Sequence, residues 1–156
     1  MLKVNLIARL LFLVIFSLNI CSCFLEEDIT VEIESVNVSN CLEMHSLKEE
    51  RTMVADLQNY NFEEEKMTID VNANKVIVNH FNAIYNCCID EIKTEIDVNG
   101  LTISLYESEI ANSPCYCICA YNISIVLDDL ESNKEYTIRL YHGDGHLVGE
   151  GTVHLN

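Results

Sequence analysis

Apolar and polar residues alternate most regularly in Tyr121-Asn122-Ile123-Ser124-Ile125-Val126-Leu127. Three cysteines lead into that stretch at every second position, in Pro114-Cys115-Tyr116-Cys117-Ile118-Cys119. A period of two puts successive side chains on opposite faces of a strand. A single strand over 115–127 therefore sets Cys115, Cys117 and Cys119 on the face that carries Tyr121, Ile123, Ile125 and Leu127. The same alternation predicts a first strand over residues 29–34. It fails from Asn37 to Arg51, where a loop stapled by Cys41 is expected. A short edge strand follows at 52–57, and Glu63-Glu64-Glu65 suits a solvated turn.

Further on, residues 66–71 and 75–81 predict a hairpin around Asn72-Ala73-Asn74, since asparagine tolerates the left-handed backbone of tight turns. A strand over 89–98 would carry Ile92, Thr94, Ile96 and Val98 on one face. Asn99-Gly100 then predicts a type I′ turn, and Leu101, Ile103 and Leu105 return from it facing inward. Residues 107–114 form a loop before the cysteine strand. Residues 136–140 form the next strand, and Gly143-Asp144-Gly145 turns the chain into a closing strand over 146–155. Strands at short, even spacing, a single proline and no helical periodicity predict an all-β sandwich of about seven to nine strands.

Leu130 and Tyr136 resemble the tyrosine corner of fibronectin type III and other immunoglobulin-like sandwiches, in which the hydroxyl bonds back to the main chain. The likeness covers residues 130–140, and Ser132-Asn133-Lys134 stands where those domains carry Pro-Gly.

With 156 residues the chain suits one domain with a real core. Lys3 and Arg9 precede the short apolar run 10–18, which is signal-like and too short to span a bilayer as a helix. Ile20-Cys21-Ser22-Cys23 resembles a bacterial lipobox, which implies removal of residues 1–22, lipidation of Cys23, a tether over 23–28 and a folded domain over 29–156. The competing reading is ordinary secretory cleavage near the same place. Glu26-Glu27-Asp28 resembles the acidic run that sends some bacterial lipoproteins to the cell surface, and it equally suits a plain solvated tether. Either processing route places the domain where disulfides persist.

Charge removes one class of partner. The chain has 25 acidic and 9 basic residues, net −16, and without Lys3 and Arg9 the balance is 25 against 7. A polyanion repels nucleic acid and anionic headgroups, so membrane contact is expected through the lipid and no nucleic-acid partner is expected.

Of the 8 cysteines, Cys21 and Cys23 belong to the processing site, which leaves Cys41, Cys87, Cys88, Cys115, Cys117 and Cys119. Alternate cysteines on one strand lie about 6.6–6.8 Å apart at Cα, the upper edge of disulfide geometry. Bridges to other strands or loops are expected instead. Cys87 and Cys88 would point to opposite sides, one toward the cysteine strand and the other toward Cys41 or the opposite sheet. The alternative is a zinc or copper site in which His80 joins Cys87 or Cys88 and two of Cys115, Cys117 and Cys119. Its spacing is not that of a paired C-x₂-C module. A third reading, thiol–disulfide exchange, needs a thiolate stabilised by a nearby cation, and no Lys or Arg lies close in sequence.

His142 and His146 flank the Gly-Asp-Gly turn, so a hairpin could pair their imidazoles for a metal, but the preferred reading is a solvated turn with incidental histidines. Asn37-Val38-Ser39 and Asn122-Ile123-Ser124 match the glycosylation pattern, a chance match in a bacterial lipoprotein. The chain has no nucleophile elbow, no His-Glu-x-x-His and no phosphate-cradling glycine loop. Acidic residues are plentiful enough for a carboxylate pair, yet without tryptophan there is little to stack a sugar, and no enzyme or cofactor is expected.

Asn79-His80, Asn86-Cys87-Cys88, the Cys-x-Cys-x-Cys run and Leu130…Tyr136, behind a lipobox, together resemble small bacterial lipoproteins with an immunoglobulin-like domain. The resemblance runs from about Asn79 to the C-terminus. It implies a fold and a location, and it brings no activity. The expected role is a lipid-anchored envelope module, binding or structural. A protein or glycan ligand would meet the loops near Cys41, Cys87-Cys88 and residues 107–114.

Overall fold

A computed structural model describes residues 30–46, 63–143 and 145–156. The expected signal segment, Cys23, the tether and the edge strand at 52–57 lie outside the described residues. Nine strands are described: β1 (Glu32–Val38), β2 (Glu43–Ser46), β3 (Lys66–Asn72), β4 (Lys75–Asn86), β5 (Glu91–Asn99), β6 (Thr102–Ile110), β7 (Cys117–Asp128), β8 (Glu135–His142) and β9 (His146–His154).

They make the expected all-β sandwich. One sheet runs β1-β7-β4-β3, with β2 continuing the β1 lane along β7, and the other runs β5-β6-β8-β9. The alternation read in residues 121–127 is β7 itself, and its inward side chains Ile123, Ile125 and Leu127 are fully buried with Val76 and Val78 of β4. Against them lie Ile103 and Leu105 of β6 with Ile138 and Leu140 of β8, equally buried. Each such side chain stabilises the fold by roughly 1.5–3 kcal/mol before the chain-entropy cost is subtracted. β7 is paired along both edges, with β4 on one side and with β1 and then β2 on the other.

The cysteine loop expected from Asn37 to Arg51 contains a strand. Where β1 ends at Val38, β2 takes over the free edge of β7, with Glu43 opposite Ala120 and Ser46 opposite Cys117. An unpaired edge beside a buried strand leaves donors and acceptors open, and β2 satisfies them. The first strand also starts later than its alternation predicts and carries a bulge between Ile33 and Ser35.

Two turns differ from expectation by their register. Asn72 pairs with Lys75, so Ala73 and Asn74 make the turn, and Ala73 takes the positive φ of 55°. Asn99 pairs with Thr102, so the central residues are Gly100 and Leu101 rather than Asn99 and Gly100. Gly100 has the positive φ of 59°, as a glycine-first two-residue hairpin needs. Leu101 is thereby left at the exposed tip instead of facing inward.

β6 and β8 pair in parallel, Thr102 with Thr137 through Glu107 with His142. The chain leaves β6, returns through β7 in the opposite layer and re-enters beside β6 in the same direction. On the far side, Gly149 and Gly151 of β9 let Met67 and Ile69 of β3 approach: a Cβ on Gly151 would lie 2.8 Å from Ile69 Cδ1.

The tyrosine corner forms despite the missing Pro-Gly. Tyr136 is fully buried, and its hydroxyl accepts the backbone N–H of Glu131 at 3.0 Å. Asp129 and Asn133 adopt positive φ on either side of the corner. Tyr136→Phe keeps the ring and removes the hydroxyl, so it is expected to cost about 1 kcal/mol in urea denaturation. An unchanged midpoint would show that the bond contributes nothing.

Candidate functional site

The site begins with one extra residue in β4. His80 pairs with Ile123 of β7 while Ala83 pairs with Tyr121, so β4 advances three positions as β7 advances two. Asn82, in the left-handed region at φ 58°, is where the strand bulges. A bulge re-aims the side chains that follow it. Before it the buried positions are Val76, Val78 and His80; after it they are Ala83 and Tyr85, with Asn86 buried at the end of the strand. The Asn82 N–H donates to Asn122 Oδ1 at 3.2 Å, and its side-chain amide donates to the Glu64 carbonyl, also at 3.2 Å. The disturbed ladder frees the Ile84 N–H, which Glu65 Oε1 accepts at 2.9 Å. Glu63-Glu64-Glu65 is therefore no free solvated turn. It is held along the bulge, and Glu65 is drawn partly inside.

Five ionisable side chains meet there. Glu107, from β6, is fully buried, and its Oε2 lies 2.6 Å from Nδ1 of the fully buried His80. Tyr85 donates its hydroxyl to the same Oε2 at 3.3 Å. Glu65 Oε1 lies 3.1 Å from His142 Nδ1. The ring of His142 is 4.4 Å from that of Tyr85 and meets His80 edge-on at 5.7 Å. The parallel β6–β8 pair puts Glu107 beside His142, and the bulge brings Tyr85 and Glu65 to them. His80 Nε2 and Glu107 Oε1 have no hydrogen-bond partner.

Burial pulls the His142 imidazole down, but the bond to Glu65 and the charges of Glu65, Glu107 and Glu109 outweigh it and hold the group above its ordinary value. Burial pushes the Glu65 carboxyl up, while its bonds to His142 and the Ile84 N–H, with the charges of both histidines, bring it below the carboxylate range. Burial, followed by the charge and bond of Glu107, pushes the Tyr85 phenol well above its usual range.

The six cysteines of the domain join in three pairs: Cys41 with Cys119, Cys87 with Cys117 and Cys88 with Cys115, at Cα separations of 5.6, 5.6 and 5.7 Å. Cys117 and Cys119 belong to β7, whereas Cys115 precedes it. Both Cys87 and Cys88 reach the 115–117 segment, so neither meets Cys41 or the opposite sheet. Asn86 makes this possible. Fully buried, it donates to the Cys115 carbonyl at 2.7 Å and accepts the N–H groups of Cys88 at 2.9 Å and Cys115 at 3.2 Å. The sulfurs of Cys88, Cys115 and Cys117 lie within 4.8 Å of one another, but as members of disulfides they offer no thiolate. His80 is grouped with Glu65 and His142, away from the sulfur set expected from sequence. His146 pairs with His142 across the turn but remains exposed, while His142 turns toward Glu65.

Two concavities adjoin these groups. A groove of about 540 Å³ is lined by Val38, Asn40, Cys41, Cys87, Asp90 and Tyr121, among others. A cleft of about 360 Å³ is lined by Tyr85, Asn86, Glu109, His142 and Gly143 with neighbouring apolar residues. Sequence reasoning missed Glu65, Tyr85 and Glu107 as partners of His80. The one available signal was an asparagine, Asn82, between two strand-like halves.

The chain matches no protein-family model, no curated protein and no solved structure. The molecule stands as a small all-β two-sheet domain with several cysteine pairs.

The Glu65–His142 pair gives stability a defined pH window. Glu65, lowered in the folded state, contributes above its ordinary value of 4.5 and loses that contribution as pH falls through its folded value. His142, raised, contributes fully below 6.5 and loses it as pH rises through its folded value. In chelator-treated protein, urea midpoints followed across pH should therefore show stability falling on both flanks of that window. Glu65→Gln is expected to flatten both flanks. Identical profiles for the two proteins would contradict the pairing.

Proposed function

We propose that this protein is a lipid-anchored, non-catalytic binding module of the bacterial cell envelope that engages a protein or glycan ligand. Three disulfides are the mark of an extracytoplasmic protein. The basic and apolar leader and the Ile20-Cys21-Ser22-Cys23 lipobox support lipidation of Cys23, with residues 23–28 as the tether. The resemblance to small bacterial lipoproteins with an immunoglobulin-like domain supports the same reading.

The observation that carries the binding role is the groove beside Cys41 and Cys87. Two disulfides brace it, Cys41–Cys119 on one side and Cys87–Cys117 on the other, so its walls are held before any ligand arrives. A preformed concavity loses less entropy on binding than a mobile loop. Val38 gives it an exposed apolar contact, and Asn40 and Asp90 give it polar ones. These segments include two of the three in which a recognition surface is expected from sequence. The net charge of −16 disfavours polyanionic ligands.

Fluorescently labelled mature protein, screened on arrays of envelope peptides and glycans, is expected to give hits that weaken at least about tenfold in Val38→Arg, at an unchanged urea midpoint. No hits, or hits indifferent to Val38, would contradict the proposal.

A further inference from the structure

We propose that Glu65, His80 and His142 form a divalent-metal site suited to zinc, with Glu107 orienting His80 from behind. The site does not depend on the groove or on its ligand. A carboxylate oxygen of Glu65 and one ring nitrogen from each histidine lie within 4.8 Å of one another. The Glu65 and His142 donors are already 3.1 Å apart. Donors around a tetrahedral zinc at 2.0–2.2 Å are about 3.3–3.6 Å apart, so Glu65 and His142 are close to that spacing and His80, within 4.8 Å of both, completes the set on approach.

The state of His80 is the independent observation. Its Nδ1 is committed to Glu107 at 2.6 Å, which leaves Nε2 as the nitrogen it can offer to a cation. That Nε2 belongs to a side chain with no solvent exposure and has no hydrogen-bond partner. Buried polar atoms are rarely left unpaired. A carboxylate accepting Nδ1–H while Nε2 faces outward as a lone pair is the arrangement by which a second carboxylate orients a metal-bound histidine. Tyr85 keeps Glu107 in position by donating to the same oxygen. Glu65 is held by the Ile84 N–H, so the bulge that re-aims β4 also places the carboxylate ligand.

Donor chemistry narrows the ion. Two imidazoles and one carboxylate suit zinc and related transition metals, whereas calcium and magnesium prefer oxygen-only sets. Glu65 and Glu107 supply two negative charges against a divalent cation. His142 also lines the 360 Å³ cleft, so a fourth ligand, water or a group brought by a partner, would enter from that side. The sulfurs take no part, and the disulfides stay closed.

The test uses the mature protein with its bridges intact, stripped by chelator and titrated with zinc chloride by calorimetry. One zinc per chain is expected, with magnesium and calcium at millimolar excess failing to compete. Glu65→Gln and His142→Ala should each weaken binding at least about tenfold, while His146→Ala and His154→Ala leave it unchanged. Because His80 is buried and its replacement threatens folding, its role is read in the wild type. Zinc should shift the imidazole nitrogen resonances of His80 and His142 and not those of His146 and His154. Absence of stoichiometric zinc, binding that survives both Glu65→Gln and His142→Ala, or zinc shifts confined to His146 and His154 would overturn the assignment.

Discussion

A single inserted residue opposite Asn122 decides what the second half of β4 presents to the core. With regular pairing, a strand that buries Val76, Val78 and His80 would go on to bury residues 82 and 84. The bulge at Asn82 shifts that parity, so Ala83 and Tyr85 turn inward and Cys87 packs against the core. Tyr85 then reaches Glu107, and the loosened ladder gives Glu65 a backbone donor at Ile84. Asn82 takes the left-handed backbone, a region asparagine tolerates better than most residues, and its side-chain amide is held by the Glu64 carbonyl eighteen positions away.

The end of the molecule beyond the bulge is covalently braced. The three bridges close loops with sequence separations of 78, 30 and 27. Loop-closure entropy grows only logarithmically, so in that account each stabilises by about 3–4.5 kcal/mol despite the unequal lengths. Their placement matters more than their sum. All three tie segments outside the central sheet lanes to residues 115–119 at the start of β7, where Asn86 is held buried among backbone groups. Away from this end, the buried side chains of Ile123, Ile125 and Leu127 and the pairing with β1 and β4 hold β7 without a covalent brace.

Much of the architecture was legible because it is written in local periodicity. Alternation in residues 121–127 located β7, and Leu130…Tyr136 located the corner whose hydroxyl bonds to Glu131. What escaped was relational. Gly100 signalled a hairpin, yet whether it sits first or second in the turn depends on pairing between β5 and β6. A run of three glutamates gives no sign that its last member will be held by the N–H of Ile84, nineteen positions away. His80 is expected from sequence as a thiol partner because Cys87 and Cys88 follow it within eight positions. Its actual neighbours come from β6, β8 and the residue before β3, joined only through the parallel β6–β8 pair and the bulge.

The register of β4 past Asn82 leaves a covalent record. Shifted parity sends Cys87 to Cys117 and Cys88 to Cys115, with Cys41 left for Cys119. Without the extra residue the two vicinal cysteines would exchange faces and partners. Partial reduction and stepwise alkylation, followed by fragment-ion mass spectrometry able to cut between Cys87 and Cys88, distinguishes the two. Bridges 41–119, 87–117 and 88–115 are the expected result. Bridges 87–115 and 88–117, or any link from Cys41 to the vicinal pair, would contradict the bulge and the site built on it.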